Sequence, residues 1–271
     1  MDRVLFLGDF SENSTNVSQK RELEKLCDLM AVDFRRNPRE ATAATKGTWD
    51  LIIYSKCNEL TIDAFLGPSK KLMWFMDPLG PNFDENVARA AQCDVIVCAL
   101  TRPYQRHLEI WDSESPKSIH FLEEGFDEEV DKYYREINWK RDIGFIGSLH
   151  SKSRANYHNA LSFDVITASR LNHNKEVGAT KINLNFTHGG CSDRVYKVMA
   201  AGGFLLSEPW DHCPFIPGKE IALFSGVYSL HKQIRYYLRN NEERERIAIT
   251  GHHAVQKYTR QRWAEKILHG S

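Results

Sequence analysis

The chain has 271 residues, 42% of them apolar and 11% aromatic, and its charges balance at 36 Lys and Arg against 36 Asp and Glu. Such a composition excludes a disordered chain and a globally basic nucleic-acid binder, and no apolar run approaches the ~20 residues of a membrane span. Asp2 and Arg3 ahead of the strand-like VLFL do not make a signal peptide, so an intracellular, cytoplasmic protein is expected.

The overall balance hides an asymmetry. Residues 1–126 carry 15 Lys and Arg against 20 Asp and Glu, net −5, whereas residues 127–271 carry 21 against 16, net +5. The second half is the expected home of a polyanionic ligand. The six cysteines (Cys27, Cys57, Cys93, Cys98, Cys191 and Cys213) form no CxxC pair and no regular framework, which fits small buried side chains better than a zinc cluster or disulfides.

In chain order, residues 4–7 read as a first strand, followed by Gly8-Asp9-Phe10 and a Ser/Asn-rich loop. Leu23, Leu26, Cys27 and Met30 stand at helical spacing and predict a helix over 18–30. Strands follow near 30–34 and at 49–55, 71–76, 94–100 and 118–122, with helices at 59–66, 83–92 and 101–109 between them. This alternation calls for crossover connections and hence a mostly parallel, doubly wound sheet. Residues 127–140 are polar and linker-like, after which the pattern restarts: strand 142–146, helix 152–161, then strands at 163–167, 181–185, 204–207 and 221–224, and a helical end. The expected class is therefore α/β, with two Rossmann-like domains at 1–126 and 141–271 and a last helix that packs back on the first.

One segment, GGCSDRVYKVMAAGGFLLSE, carries glycines at both ends of a helix. Gly189 and Gly190 precede the helix-start residues Cys191-Ser192-Asp193, and Gly202 and Gly203 precede an apolar run at 204–206. In open α/β sheets ligands bind beyond the carboxyl ends of the strands, where a glycine-flanked helix start offers backbone N–H groups to phosphate. Arg194 can add bidentate contacts to a diphosphate, and Lys197 at i+3 a second positive charge. The plain alternative is a turn followed by an exposed helix face. A second glycine turn in FIGSLHSKSR, with Gly147 and Ser148, favours a diphosphate-bearing ligand.

Taken in order, SDRVYKVMAAGGFLLSE, FIPGKEIALFSG and LHKQIRYYLRNNEERERIAITGHHAV resemble the C-terminal domain of GT-B glycosyltransferases, the group 1 and spore-maturation CgeB-like enzymes above all. DIGFIGS is similar to that domain's first strand and turn, and FLEEGFDEE to the inter-domain G-x-D segment, so the resemblance covers residues 118–268. It implies a GT-B fold with a cleft between its domains and transfer of a sugar from a nucleotide diphosphate sugar, UDP-glucose by default, to a hydroxyl acceptor. The donor would sit on the second domain without a bound metal. Carried over by position, Arg194 would neutralise the diphosphate with help from the N–H groups of Gly189, Gly190, Cys191 and Ser192, and Gly147 and Ser148 would form the opposite lip. Many relatives carry Glu at the position of Lys197 to bind the donor ribose; a lysine cannot accept those hydrogen bonds, so either Lys197 turns to the phosphates or Glu208 or another acceptor takes the ribose. Thr167 to Arg170 mark the expected base pocket.

For the acceptor proton, Asp77 after the KLMWFM strand is the first catalytic candidate, with a turn cap before Pro78 as its alternative, and Asp9 the second; His188 and His120 are possible proton carriers. Glycans and proteins are unconstrained as acceptors. DNA bearing 5-hydroxymethylated pyrimidines is the specific alternative, because phage DNA glucosyltransferases are also small GT-B proteins. Arg35, Arg36 and Arg39, or Arg102, Arg106 and His107 with Tyr104 for stacking, would meet the phosphates and bases. Against DNA stands the acidic balance of the first half. A second alternative is a non-catalytic nucleotide-binding module, for which Lys197 is the best support.

Overall fold

The apolar run after Asp2 becomes β1 (Arg3–Gly8), whose Val4, Leu5, Phe6 and Leu7 are all fully buried. Burial on both faces is what an interior strand of a parallel sheet requires. The computed structural model describes residues 2–57, 59–76, 78–111, 117–134, 139–149, 151–187 and 190–270. These fall into two units, Met1–Glu123 with His188–Gly190 and Arg260–Ser271, and Glu124–Thr187 with Cys191–Thr259.

In the first unit β1 is joined by β2 (Asp28–Asp33), β3 (Leu51–Ser55), β4 (Lys71–Phe75), β5 (Val95–Cys98) and β6 (Ser118–Phe121) in a parallel sheet of order β2-β1-β3-β4-β5-β6. Alternate residues feed opposite faces. Leu5, Ile52, Met73 and Ile96 pack with Ala41 of α2 (Pro38–Ala44) and Phe83 of α3 (Pro81–Ala90), with Tyr104 of α4 (Thr101–Trp111) against them. Val4, Ile53, Trp74 and Val97 pack with Leu23 of α1 (Thr15–Glu24) and with Trp263 and Ile267 of a helix from the far end of the chain, Arg260–His269. Asn16 of α1 ties the loop after β1 to the sheet: its side chain accepts from Asp9 N at 3.1 Å and donates to Ser55 Oγ at 2.8 Å.

The second unit repeats the plan. β7 (Arg141–Ile146), β8 (Asp164–Ile166), β9 (Thr180–Asn185), β10 (Leu205–Ser207) and β11 (Ala222–Leu223) run parallel in the order β11-β10-β9-β7-β8. One face is covered by α7 (Asp193–Ala200) and α9 (Asn241–Val255), the other by α5 (Lys152–Leu161) and α8 (Gly226–Arg239); α6 (His173–Gly178) precedes β9, and the Arg260–His269 helix is α10. The glycines after α7 have a specific task. Gly202, at φ 80°, donates to Met199 O at 3.0 Å and Gly203 to Val198 O at 2.9 Å, a Schellman ending that turns the chain straight into β10. A side chain at Gly203 would also fall 2.4 Å from Val177, so the turn is close-packed as well as left-handed.

The architecture is α/β with two helix-flanked parallel sheets, the class expected. Every expected strand forms. The expected helix over 18–30 is shorter, ending at Glu24 because residues 28–33 pair with β1. Residues 59–66 form a single 3-10 turn at Ile62–Phe65, and α2 and α6 arise where no helix was foreseen. Residues 124–134 belong to the second unit, where Phe126 bridges Thr259 and Asp127 pairs with Arg170 at 2.7 Å.

Candidate functional site

The carboxyl ends of β7, β9 and β10 bring the foreseen residues of the second unit together. β7 ends at Ile146 and leads into Gly147; α7 starts beside it, and Arg194 in its first turn reaches back across the sheet end. Its Nε donates to Ile146 O at 2.6 Å and a terminal nitrogen to Asn185 Oδ1 at 3.2 Å, while the guanidinium lies 4.7 Å from the centre of the Phe145 ring. Asn185 is itself oriented by donating to Ser207 Oγ at 2.9 Å.

A second guanidinium shares that ring. Arg154, in the first turn of α5, lies 5.2 Å from the Phe145 centre and donates to Ser148 O at 3.3 Å; its Nε is buried with no partner among the described residues. Neither arginine has a carboxylate at salt-bridge distance among the described residues. Burial, then the neighbouring Arg154, pulls the Arg194 pKa down to about 10, with Asp193 and Glu124 opposing; burial lowers Arg154 too, with Glu208 opposing. Both remain cationic at neutral pH. Two half-desolvated guanidiniums without ion-pair partners among the described residues have the charge and donor geometry to take a multiply charged anion.

Gly147 has to be a glycine here. At φ 149° it adopts backbone that side chains avoid, and a Cβ would stand 2.8 Å from the Arg194 terminal nitrogen. Gly147→Ala is accordingly expected to cost about 1–3 kcal/mol and to push the Arg194 guanidinium off its Phe145 seat. Urea unfolding checks the first effect, and loss of anion affinity measured by titration calorimetry checks the second.

Of the remaining donor-site candidates, Glu208 and Lys197 are committed to protein partners. Glu208, just after β10, accepts from the Tyr157 hydroxyl at 2.8 Å and from Thr187 N at 3.0 Å, and burial together with this carboxylate pushes the Tyr157 phenol up to about 12. Lys197 pairs with Asp193 on its own helix at 2.6 Å, so its charge is offset locally. Ser192 caps α7 in extended conformation without a side-chain cap bond. Gly190 lies against Leu100 and Thr101 of the first unit, to which it belongs. Gly189 and His188 lie outside the described residues. Arg170 of the expected base pocket is drawn to Asp127. His173, near Lys197 and Arg194, is buried with Nδ1 unpartnered among the described residues. Burial first, then Lys197, lowers its pKa to about 3, so it stays neutral. Arg154, Asn185, Tyr157 and His173 were not anticipated.

In the first unit Asp77 lies outside the described residues. Asp9 is placed as a turn former: it accepts from Ser11 N at 2.9 Å and pairs with Arg35 at 2.6 Å. Burial alone would raise its pKa, but the Ser11 hydrogen bonds and the Arg35 and Lys56 cations outweigh that and hold it below 3.8, which weakens it as a proton acceptor. Asp9→Asn is expected to lower stability by about 0.5 kcal/mol at pH 7. Because folding lowers this pKa, the contribution is present above the ordinary value and fades as pH falls through the folded-state value, so urea midpoints of the two proteins should converge in strong acid.

The arginines considered for DNA are largely spoken for: Arg35 also meets Glu59 at 3.4 Å, Arg36 meets Asp33 at 3.7 Å and Arg106 meets Glu109 at 2.7 Å. His107 is fully buried between Phe75 and Phe83, with its pKa lowered to about 4 by burial, and cannot touch a phosphate. His120 contacts Ser118 Oγ at 2.6 Å. Among the described residues no three His, Cys, Asp or Glu side chains gather to hold a metal, and no helix is long and apolar enough to cross a membrane.

The fold matches solved structures over essentially the whole chain. HepE of Anabaena, in complex with UDP and glucose, shares 11% identity at a TM-score of 0.72, with 99% of each chain covered. Sucrose-phosphate synthase from Thermosynechococcus elongatus shares 8% identity at a TM-score of 0.70, covering 99% of this chain and 98% of that one. At these identities the likeness is one of fold, the two-sheet GT-B arrangement. No curated protein matches the chain. The model of a family described as Glycosyl transferase-like matches residues 133–269, just over half of the 271, and so takes in Arg154, Asn185, Arg194 and Glu208. This chain belongs to the Glycosyl transferase-like family.

Proposed function

We propose that the chain transfers a sugar from a nucleoside diphosphate sugar to a hydroxyl-bearing acceptor, with the donor's diphosphate at the carboxyl ends of β7, β9 and β10. The observation that carries this reading is the pair of guanidiniums, Arg154 and Arg194, stacked on the Phe145 ring without carboxylate partners among the described residues. Transfer breaks the bond between the sugar's anomeric carbon and the diphosphate oxygen and forms one to the acceptor oxygen, while the acceptor's proton passes to a base. Negative charge grows on the leaving diphosphate, and cations fixed beforehand in a half-buried setting stabilise that growth. Arg194 is fixed by Ile146 O and Asn185, Arg154 by Ser148 O. The start of α7 at Ser192 would add backbone donors, with Gly147 giving clearance.

UDP is the nucleotide of first choice, because HepE structures of this fold hold UDP with glucose and UDP-glucose. Lys197 pairs with Asp193 and has no acceptor for the ribose hydroxyls, and Glu208 already accepts two hydrogen bonds, so its ribose contact would be shared with Tyr157 and Thr187. The test is a thermal-shift titration with UDP, GDP, ADP, CDP and dTDP. At about 100 times Kd a ligand adds roughly 2.7 kcal/mol, a plainly measurable shift. A shift with one nucleotide selects the sugar nucleotides to incubate with glycan, protein and hydroxymethylated DNA acceptors, with transfer read by mass spectrometry. No shift with any of the five would overturn the reading.

A further inference from the structure

The start of α7, to which the donor's diphosphate is assigned above, is already occupied by a carboxylate. Glu124, 69 residues away in sequence, accepts from Asp193 N at 2.8 Å and is only 7% exposed. Helix starts are normally capped from within: Ser192 is in place to do so but makes no side-chain cap bond, and the Asp193 carboxylate is turned to Lys197 instead. The anion at this helix end is therefore imported from the segment that opens the second unit. It acts on the neighbouring guanidinium as well, since the Glu124 charge favours the cationic form of Arg194. Near the site, Arg154, Arg194 and Lys197 face Asp193, Glu124 and Glu208, three cations against three carboxylates.

We propose that Glu124 is a built-in competitor of the donor's diphosphate, holding the α7 N-terminus and partly offsetting Arg194 when the site is empty, and so setting how firmly nucleoside diphosphate is retained. The inference rests on the donor-site reading above. An incoming diphosphate brings like charge to a half-buried site where Glu124 already sits, so the carboxylate either withdraws from Asp193 N or repels the ligand from it. In both cases it weakens the diphosphate and leaves the nucleoside untouched. For a transferase whose spent product is a nucleoside diphosphate, such a competitor hastens product release.

Glu124→Gln separates charge from shape, because the amide oxygen can still accept from Asp193 N. Titration calorimetry on the full chain should show UDP bound about tenfold more tightly by Glu124→Gln, with uridine affinity unchanged. Structural damage would move UDP affinity the other way, so a Kd for UDP that is unchanged or raised in the folded variant overturns the proposal. Should that variant fail to fold, 15N spectra of the unaltered protein serve: the Asp193 amide resonance should shift with UDP and not with uridine, and one that stays put at UDP saturation overturns the proposal. If instead the unaltered protein does not bind UDP, or binds it equally with Arg194→Ala, it is the donor-site reading that fails and takes this inference with it.

Discussion

Arg194→Ala is expected to weaken UDP binding by some hundreds-fold, about 3–4 kcal/mol, and to erase the thermal shift that UDP confers on the unaltered protein. The size follows from the setting. The guanidinium is half-buried, held at two points by Ile146 O and Asn185 Oδ1, and seated on Phe145, so on the donor-site reading it meets the diphosphate already desolvated and oriented. Stability without ligand should change far less, because the substitution also removes the repulsion between Arg194 and Arg154 that helps depress its pKa. Arg194→Lys keeps a charge but cannot hold two acceptors with a planar fork, and should fall between the two. Titration calorimetry with UDP on the three proteins checks the order; an alanine variant that binds UDP like the parent would remove Arg194 from the site.

How far the sequence foretold this site depends on the range of the interactions. Arg194 stood out because it sits in the first turn of a helix bracketed by glycines, all local signals, and the structure does start α7 at Asp193 and end it in the Gly202–Gly203 turn. Gly147 was legible as a turn; that its missing side chain makes room for Arg194 was not, because the two are 47 residues apart and meet only when β7 and β9 are adjacent. Arg154 lies in the stretch that drew attention to Gly147, yet nothing in SKSR distinguishes it from the exposed Lys152 until Phe145 is seen beneath it. Lys197 is a different case. The sequence offers it as a second positive charge at i+3 from Arg194, and it equally shows Asp193 at the i,i+4 spacing with which the structure pairs it.

The fold behaved similarly. Interior strands such as β1 and β3, buried on both faces, announce themselves as short apolar runs, and the half-exposed edge strands β2, β6 and β8 also form near their expected places. The two unforeseen helices lack that signature: α2 is PREATAA, with only alanines to offer the core, and α6 is HNKEVG, six residues whose one large apolar side chain is Val177. Both form because neighbouring elements cover them, which is a tertiary cause and leaves no periodicity to read.

Trp263→Ala is expected to cost about 3–5 kcal/mol, the largest stability loss of any change considered, and to lower the midpoint of the unit that contains α10 by about 10 °C. The indole is 1% exposed and meets Trp74 edge to face with ring centres 5.4 Å apart, in the layer where α10 and α1 cover β1, β3 and β4. Removing it leaves a cavity between two elements from opposite ends of the chain, and neither flank can collapse without distorting the sheet. Trp263→Phe should behave differently. The indole Nε1 is buried with no hydrogen-bond partner among the described residues, as is that of Trp74. A desolvated, unpaired donor costs about 1–3 kcal/mol, so deleting it offsets much of the volume lost on going to phenylalanine. The Phe variant should therefore stay within about 1.5 kcal/mol of the parent in urea unfolding. A Phe variant as damaged as the Ala variant would mean that the indole N–H is satisfied in solution, with a water between the two tryptophans as the first place to look, and that the hold of α10 on the sheet is partly polar.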